Sequence, residues 1–370
     1  MAERTESVIR RVGRCPRCEV CGVAIRVRGI DREGAWCKNC IAAALPFGGI
    51  VSESEFRISI REYREGLQSK AGDFQGLRLD PFDDEMREAL RGLDSTLQGC
   101  AYMGGEEVRG CLKKVSKEGG CSLSLLCHNV RSAKGPGLEL LEAEIRRWGV
   151  SWDVVGLTET WLDTESEKRI SIEGYRAICA SRKIKSGGGV AVLIKADQTY
   201  RERLDLGVFK EGIIESVFVE LIREGRKNDV IGVVYRPPGG NLVEFNKEIA
   251  NILKKTKNDS CYIMGDFNVD LLRLNKHAPT TEFMSEFTTV GFFPLISLPT
   301  RITDTTATLI DNIWTNNVDT QTKTGLVTVR ISDHLPVFSF IERSRDLDKR
   351  DGKKKQRRKV TEHRIAQFAD

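Results

Sequence analysis

Seven polar side chains stand where apolar runs of the sequence stop or start, an eighth lies inside such a run, and their types suit acid–base and metal chemistry. Asn129 ends the run SLSLLCHN at 122–129, and Glu159 follows DVVGLT at 153–158. Tyr235 ends DVIGVVY at 229–235, and Asp266 and Asn268 follow SCYIMG at 260–265. Asp333 and His334 precede LPVF. Loops at strand ends are where a rigid sheet presents functional groups. Taken singly, an Asn or Asp after a strand is a turn former. Asp311 is different, because it lies inside the apolar run TLIDNIW. A carboxylate buried there alone would be costly, so it requires a partner, and a histidine or a metal ion would supply one.

The elements that must position these residues lie in 120–342. Runs at 122–129, 153–158, 189–195, 215–222, 229–235 and 260–265 read as strands, and further strands are expected at 309–315, 325–329 and 336–340. Leu138, Leu141, Ile145 and Trp148 recur at helical spacing after the breaker Pro136-Gly137. Asn241 is placed to cap a second helix, with Glu244 three residues on and Leu242, Phe245, Ile249 and Ile252 as its apolar face. Many strands with few helices predict an α/β class fold, a two-sheet sandwich with helices outside. Composition divides the rest. Residues 1–49 are Cys-rich; 50–119 are polar and read as a linker with short helices such as 82–97; 343–370 contain KKKQRRK and should be disordered.

The net charge of +5 does not favour nucleic acid for the central segment. Residues 343–370 hold 11 Lys/Arg against 5 Asp/Glu, and 1–40 hold 9 against 5, whereas 120–342 hold 27 against 29. No apolar run reaches the length that crosses a bilayer, and MAERTESVIRR lacks the apolar centre of a signal peptide. An intracellular, nuclear protein without a membrane partner is expected.

Six motifs then fall in a known order: HNVRS at 128–132, LTETWL at 157–162, VYRPP at 234–238, GDFN at 265–268, LIDNIW at 309–314 and SDH at 332–334. GDFN and SDH are short and weakly specific alone, but the ordered set is not. Residues 120–342 thus resemble the endonuclease/exonuclease/phosphatase superfamily, which implies a DNase-like sandwich. LTETWL, SGGGVAV at 186–192, YRPP and the ID-N-IW phrase are similar to the endonuclease domains of non-LTR (LINE-type) retrotransposons. In such elements a reverse transcriptase follows. Here the sequence ends at Asp370, soon after SDH, so the resemblance implies an element-derived nuclease without its polymerase.

The resemblance implies phosphodiester hydrolysis with Mg²⁺ (or Mn²⁺), and DNA as the substrate. Glu159 would be the principal metal ligand, since a hard cation prefers carboxylate oxygen. Asn129 and Asp333 would help hold metal or metal-bound water. His334 would meet the scissile phosphate as base or donor, with Asp311 on its other ring nitrogen. Asp266 would orient or deprotonate the attacking water, and Asn268 and Tyr235 would bind phosphate oxygens. The choice of base between Asp266 and His334 stays open, as does a second metal. Arg131 departs from AP-endonuclease-like members, where a small or acidic residue is usual, so strong abasic-site specificity is not expected. Arg182 and Lys185 are candidate DNA-backbone contacts, with a solvated hairpin tip as the plain alternative. The same fold acting on RNA, an inositol phosphate or a phospholipid head group is a second reading, and a non-catalytic binding relic is a third.

Eleven cysteines in a reducing compartment should be thiols or metal ligands. Cys18-x-x-Cys21 and Cys37-x-x-Cys40, fifteen residues apart, have a four-cysteine zinc spacing. WCKNC followed by LPF resembles the closing end of a PHD-type finger, without that pattern's middle ligands and histidine. One structural Zn²⁺ is the most this set would hold. Cys121, Cys127, Cys179 and Cys261 lie in or beside apolar runs and read as core fillers.

Overall fold

The computed structural model describes residues 96–342, apart from 98, 119, 135, 168–169, 184–185, 275, 304–305, 319 and 330. Of the first 95 residues it describes only the backbone of a short antiparallel pair, β1 (Ile30–Asp31) and β2 (Gly34–Ala35). Cys18, Cys21, Cys37, Cys40, Lys185, the basic tail and most of the helix expected at 82–97 lie outside the described residues.

Two seven-stranded sheets make up the body. The first runs β3 (Ala101–Met103), β17 (Thr322–Val327), β18 (Val337–Glu342), β4 (Cys121–Asn129), β5 (Val154–Thr158), β7 (Val190–Lys195), β6 (Tyr175–Ala180). The second runs β13 (Phe293–Pro294), β16 (Asp311–Thr315), β12 (Ser260–Asp266), β11 (Asp229–Tyr235), β10 (Ile214–Leu221), β8 (Tyr200–Glu202), with β9 (Phe209–Lys210) also paired to β10. A separate hairpin joins β14 (Arg301–Ile302) to β15 (Ala307–Thr308). The central strands are buried along nearly their whole length, which is why they read as continuous apolar runs rather than alternating ones. Leu125, Cys127 and Val192 of one sheet share a core with Val219, Val233, Ile263 and Ile313 of the other. The outer face of the first sheet, with Leu126, Val155 and Phe338, is covered by Val108 and Val115 of α1 (Gly105–Glu118) and Leu141 and Trp148 of α2 (Pro136–Trp148). A single turn, α3 (Thr164–Glu167), follows β5. Phe245 and Ile249 of α4 (Leu242–Thr256) and Phe283 and Phe287 of α5 (Ala278–Thr288) join the larger core. Asn241 caps α4, its Oδ1 accepting from the backbone of Val243 and Glu244.

The topology gathers the polar strand ends. β4 and β5 are parallel, with Asn129 beside Thr158, and α2 is the crossover that parallel pairing demands. β11 and β12 repeat the arrangement through α4, with Tyr235 beside Asp266. β16 then runs antiparallel to β12, so Asp311 at its start faces Asp266 at the other strand's end. β18 runs antiparallel to β4, which returns the loop carrying His334 to the same end of the sandwich.

Two expectations are corrected. The stretch 96–118, read as linker, belongs to the sandwich: β3 extends the first sheet beside β17, and α1 packs on its outer face. Val108, Cys111, Leu112 and Val115 form an apolar stripe at helical spacing, which the charged outer face of α1 hides in any average of composition. The strand expected from 309 starts at Asp311, because the carbonyls of Leu309 and Ile310 turn away to accept from Leu271 and Phe267.

Candidate active site

Backbone geometry brings each group to the sheet ends. Gly265 has φ +154, and a Cβ there would stand 1.7 Å from the carbonyl oxygen of Val234. Only glycine lets β12 run this close to β11 and deliver Asp266 beside Tyr235. Glu159 (φ +51) and Asn268 (φ +47) occupy the left-handed region, rare for residues with a side chain and common at sites held by their surroundings.

One amide links the carboxylates of the two sheets. Asn129 Nδ2 donates to Glu159 Oε1 at 3.1 Å and to Asp266 Oδ2 at 2.9 Å. Tyr235 donates its hydroxyl to the same Glu159 oxygen at 3.1 Å. Burial, and then the charges of Glu159 and Asp266, push the Tyr235 phenol above its ordinary range, so it stays a donor. Asp266 Oδ1 accepts the backbone N–H of Asn268 at 2.9 Å, while Asn268 Nδ2 ties back to the carbonyl of Arg236. Arg236, buried, clamps that loop through the carbonyls of Asn268 and Gly240.

The histidine pair expected from the sequence is present. His334 Nδ1 lies 2.8 Å from Asp311 Oδ2, and both residues are buried. Thr300 Oγ1 donates to the same Asp311 oxygen at 2.6 Å and accepts from the backbone of Ile310 and Asp311. Ser332 Oγ anchors the loop by donating to the carbonyl of Asn129 at 2.6 Å. Burial opposes a charged imidazole, but Asp311, Asp266 and Asp333 outweigh it and raise His334 to about 9. Burial, and then Asp311 opposite, push Asp266 up to about 7 against the pull of His334, Asn129 and the Asn268 backbone. Asp266, Asp311 and His334 each offer a ligand-type atom, all within 4.8 Å of one another.

Two expected residues are placed otherwise. Both oxygens of Asp333 are engaged by arginines, Oδ1 by Arg131 Nη1 at 3.1 Å and Oδ2 by Arg301 Nε at 2.8 Å, so a metal at this carboxylate would share it with two guanidinium charges. Burial would raise Asp333, yet His334, Arg301 and Arg131 hold it below the usual carboxylate range. Arg182, expected at DNA, turns inward to Glu215, which is wholly buried; its own side chain is 12% exposed. The pairing removes the cost of burying Glu215 alone. Thr300, Arg301, Arg236 and Trp161 were not singled out from sequence. Only Trp161 carried a signal, as a large aromatic in a polar loop beside Glu159.

The model of the Endonuclease/Exonuclease/phosphatase family matches residues 126–334, from inside β4 to the histidine itself. The chain belongs to the endonuclease/exonuclease/phosphatase family. Solved structures similar to it include the endonuclease domain of TRAS1, a telomere-specific non-LTR retrotransposon (17% identity, 60% of this chain and 98% of that one, TM-score 0.48). Two others are the 3'-5' exonuclease NExo from Neisseria meningitidis (14%, 60% and 100%, 0.47) and a family protein from Leptotrichia buccalis (18%, 60% and 100%, 0.43). No curated protein matches the chain. Members of this family are generally metal-dependent phosphoesterases, and in this chain carboxylates and an amide stand beside a carboxylate-paired histidine at one end of the sheets.

Proposed function

We propose that this protein is a Mg²⁺-dependent endonuclease that nicks DNA. The observation that carries the reading is the single amide of Asn129 joining Glu159 to Asp266, with the His334–Asp311 pair at the same end of the sheets. The residues fit a divalent cation. Asp266 faces Asp311 in a buried place with one imidazolium beside them, a negative excess made of hard oxygen donors. Glu159 and Asn129 would hold the ion, with Asp266 facing the same space. When bound it supplies polarisation of the phosphate and neutralises developing charge.

The chain's own groups divide the proton work. Asp266, raised to about 7, is a competent base near neutral pH and accepts a proton from the attacking water. His334, raised to about 9, is charged at that pH, which makes it a donor rather than a base. Asp311 holds Nδ1, so Nε2 is the nitrogen left to donate to a phosphate oxygen. The water oxygen bonds to phosphorus as its proton passes to Asp266, the phosphorus–oxygen bond to the leaving strand breaks, and the leaving oxygen takes a proton from solvent. Asn268 lies at the same end and is assigned to a phosphate oxygen through its second Nδ2 hydrogen; Tyr235 is assigned there too, its single hydroxyl hydrogen turning from Glu159 to the phosphate when substrate binds. DNA is preferred over other phosphoesters because the LTETWL, SGGGVAV and YRPP wording is similar to that of retrotransposon endonucleases. The four finger cysteines are proposed to hold one Zn²⁺ and the basic tail to add phosphate affinity.

The test is a substrate panel on the full chain with Mg²⁺: supercoiled DNA, RNA and inositol phosphates, for wild type and His334→Ala. Conversion of supercoiled to open-circular DNA, lost in the variant, is expected. Hydrolysis of RNA or inositol phosphate with untouched plasmid would overturn the DNA assignment.

A further inference from the structure

Glu159 has a third donor that the reading above does not use. Trp161 Nε1 lies 3.3 Å from Glu159 Oε2, while Asn129 and Tyr235 occupy Oε1, so each carboxylate oxygen is held from a different side. Trp161 is also out of place for a tryptophan. It is 37% exposed, whereas Trp148, Trp152 and Trp314 are exposed by 2% or less. Its φ is +53, a conformation that costs a bulky residue about 1–3 kcal/mol unless the surroundings impose it.

The surroundings do impose it. The N–H of Trp161 donates to the carbonyl of Gly188 at 2.8 Å, and that of Thr160 to the carbonyl of Gly189. Gly187, Gly188 and Gly189 all have positive φ, and a Cβ at Gly189 would stand 2.6 Å from Thr160 Oγ1. The buried carboxylate of Glu215 fastens this run by accepting from the backbone of Gly189 and from Arg182. A Cβ at Gly187 would lie 3.8 Å from Trp161 Nε1, an ordinary contact distance, so this glycine neighbours the indole without crowding it. A buried ion pair, a glycine run and two strained residues thus combine to hold one aromatic ring at the rim, bonded to the carboxylate assigned to the metal.

We propose that Trp161 is a positioning and binding residue: its N–H fixes Glu159 for the cation, and its exposed ring is the platform on which a nucleobase next to the scissile phosphate stacks. The inference rests on the DNA-nuclease reading. Stacking on an aromatic face tolerates any base, which suits a platform that orients the strand without reading sequence. Because one side chain serves both tasks, DNA binding and ordering of Glu159 are coupled.

Trp161→Phe keeps the ring and removes the N–H, and Trp161→Ala removes both. In the full chain, the Phe variant is expected to need roughly tenfold more Mg²⁺ for half-maximal nicking, with KM for DNA changed by less than about twofold. The Ala variant should show the same metal shift plus a KM roughly tenfold higher, the size of one lost stack. A second readout needs no turnover: DNA added to His334→Ala should quench tryptophan emission, and His334→Ala with Trp161→Phe should lose that quenching. Thermal melting of each variant checks that the fold survives. Wild-type Mg²⁺ dependence in the Phe variant overturns the positioning role. Equal KM in the Phe and Ala variants, or quenching that survives without Trp161, overturns the platform. A chain that never nicks but shows Trp161-dependent quenching by DNA would sink the nuclease reading and leave the platform standing.

Discussion

β11 and β12 lie side by side and carry buried acids at both ends, yet the two ends are built differently. At one end Asp229, 2% exposed, takes Arg223 at 2.9 Å and Arg226 at 3.1 Å on one oxygen and Ser260 on the other. Nearby Glu220 is held by Arg201, Arg203 and Asn228, which overcome burial and keep it below the usual carboxylate range. At the other end Asp266 faces Asp311, and the hydrogen bonds described to them come from Asn129, Asn268, Thr300 and His334, with no guanidinium among them. The same sheet therefore neutralises its acids where they serve stability and leaves a negative excess where a cation is proposed. An end finished for folding would carry arginines at both places. The contrast separates a structural use of buried charge from a functional one.

The comparison breaks most easily on activity. His334→Ala should reduce hydrolysis by about 10²–10⁴-fold per folded molecule, with some loss of stability because Asp311 loses its partner. Glu159→Gln should reduce it by roughly 10–100-fold while the melting temperature changes little, both measured by plasmid nicking and calorimetry. Asp229→Asn should do the reverse. It strands two arginines on a buried neutral amide, so unfolding should become easier by roughly 3–5 kcal/mol, with turnover per folded molecule unchanged. A loss of turnover in Asp229→Asn as deep as that in His334→Ala would erase the distinction between the ends. Asp266→Asn sharpens it, since removing one of two facing carboxylates should stabilise the metal-free fold and still stop the reaction.

These residues were unequally legible in the sequence. Asn129, Glu159, Tyr235 and Asp266 could be found because a strand is read from its apolar run, and the first polar residue after it is at a sheet end. Asp311 stood out because a carboxylate cannot sit unpaired in TLIDNIW, and the partner that requirement demanded is His334. Thr300 gave no such sign: a threonine in a loop is ordinary, and only its three hydrogen bonds to the start of β16 reveal it. Arg182 misled for a related reason. An arginine before a glycine run reads as a solvated tip, while its partner Glu215 is a single acid at the head of a distant apolar strand. Pairing across sheets is set by tertiary packing, which no local pattern encodes. The helix α1 was readable from its stripe of Val108, Cys111, Leu112 and Val115, and was masked by the charges around it.

A smaller effect follows from pH. His334 rises from 6.5 to about 9 on folding, so its pairing stabilises fully below 6.5 and is lost as pH climbs through 9. Asp266 rises from 3.8 to about 7, so the folded state again holds the proton more tightly and loses stability as pH climbs through 7. Both terms have the same sign. In EDTA the melting temperature should fall steadily between about pH 6 and 9, and Asp311→Asn should flatten that slope by removing the charge that lifts both groups. A wild-type melting temperature that rises across this window would show that the negative excess at the site end is not there.

The smallest expected effect is also the most specific to the comparison. A cation that binds only the folded chain stabilises it by mass action, about 1.4 kcal/mol at tenfold above its dissociation constant, or about 3–6 °C for a body of this size. The gain should vanish in Glu159→Gln and persist in Asp229→Asn, because only one end of β11 and β12 has oxygen donors free of arginine. It should also shrink below pH 6, where protons compete for Asp266, and grow above pH 7, where the metal-free site is least stable. Calorimetric titration of Mg²⁺ into the three proteins at two pH values measures all of this. An equal rise in wild type and Glu159→Gln would place the cation away from Glu159, and the unneutralised carboxylates would then need another explanation.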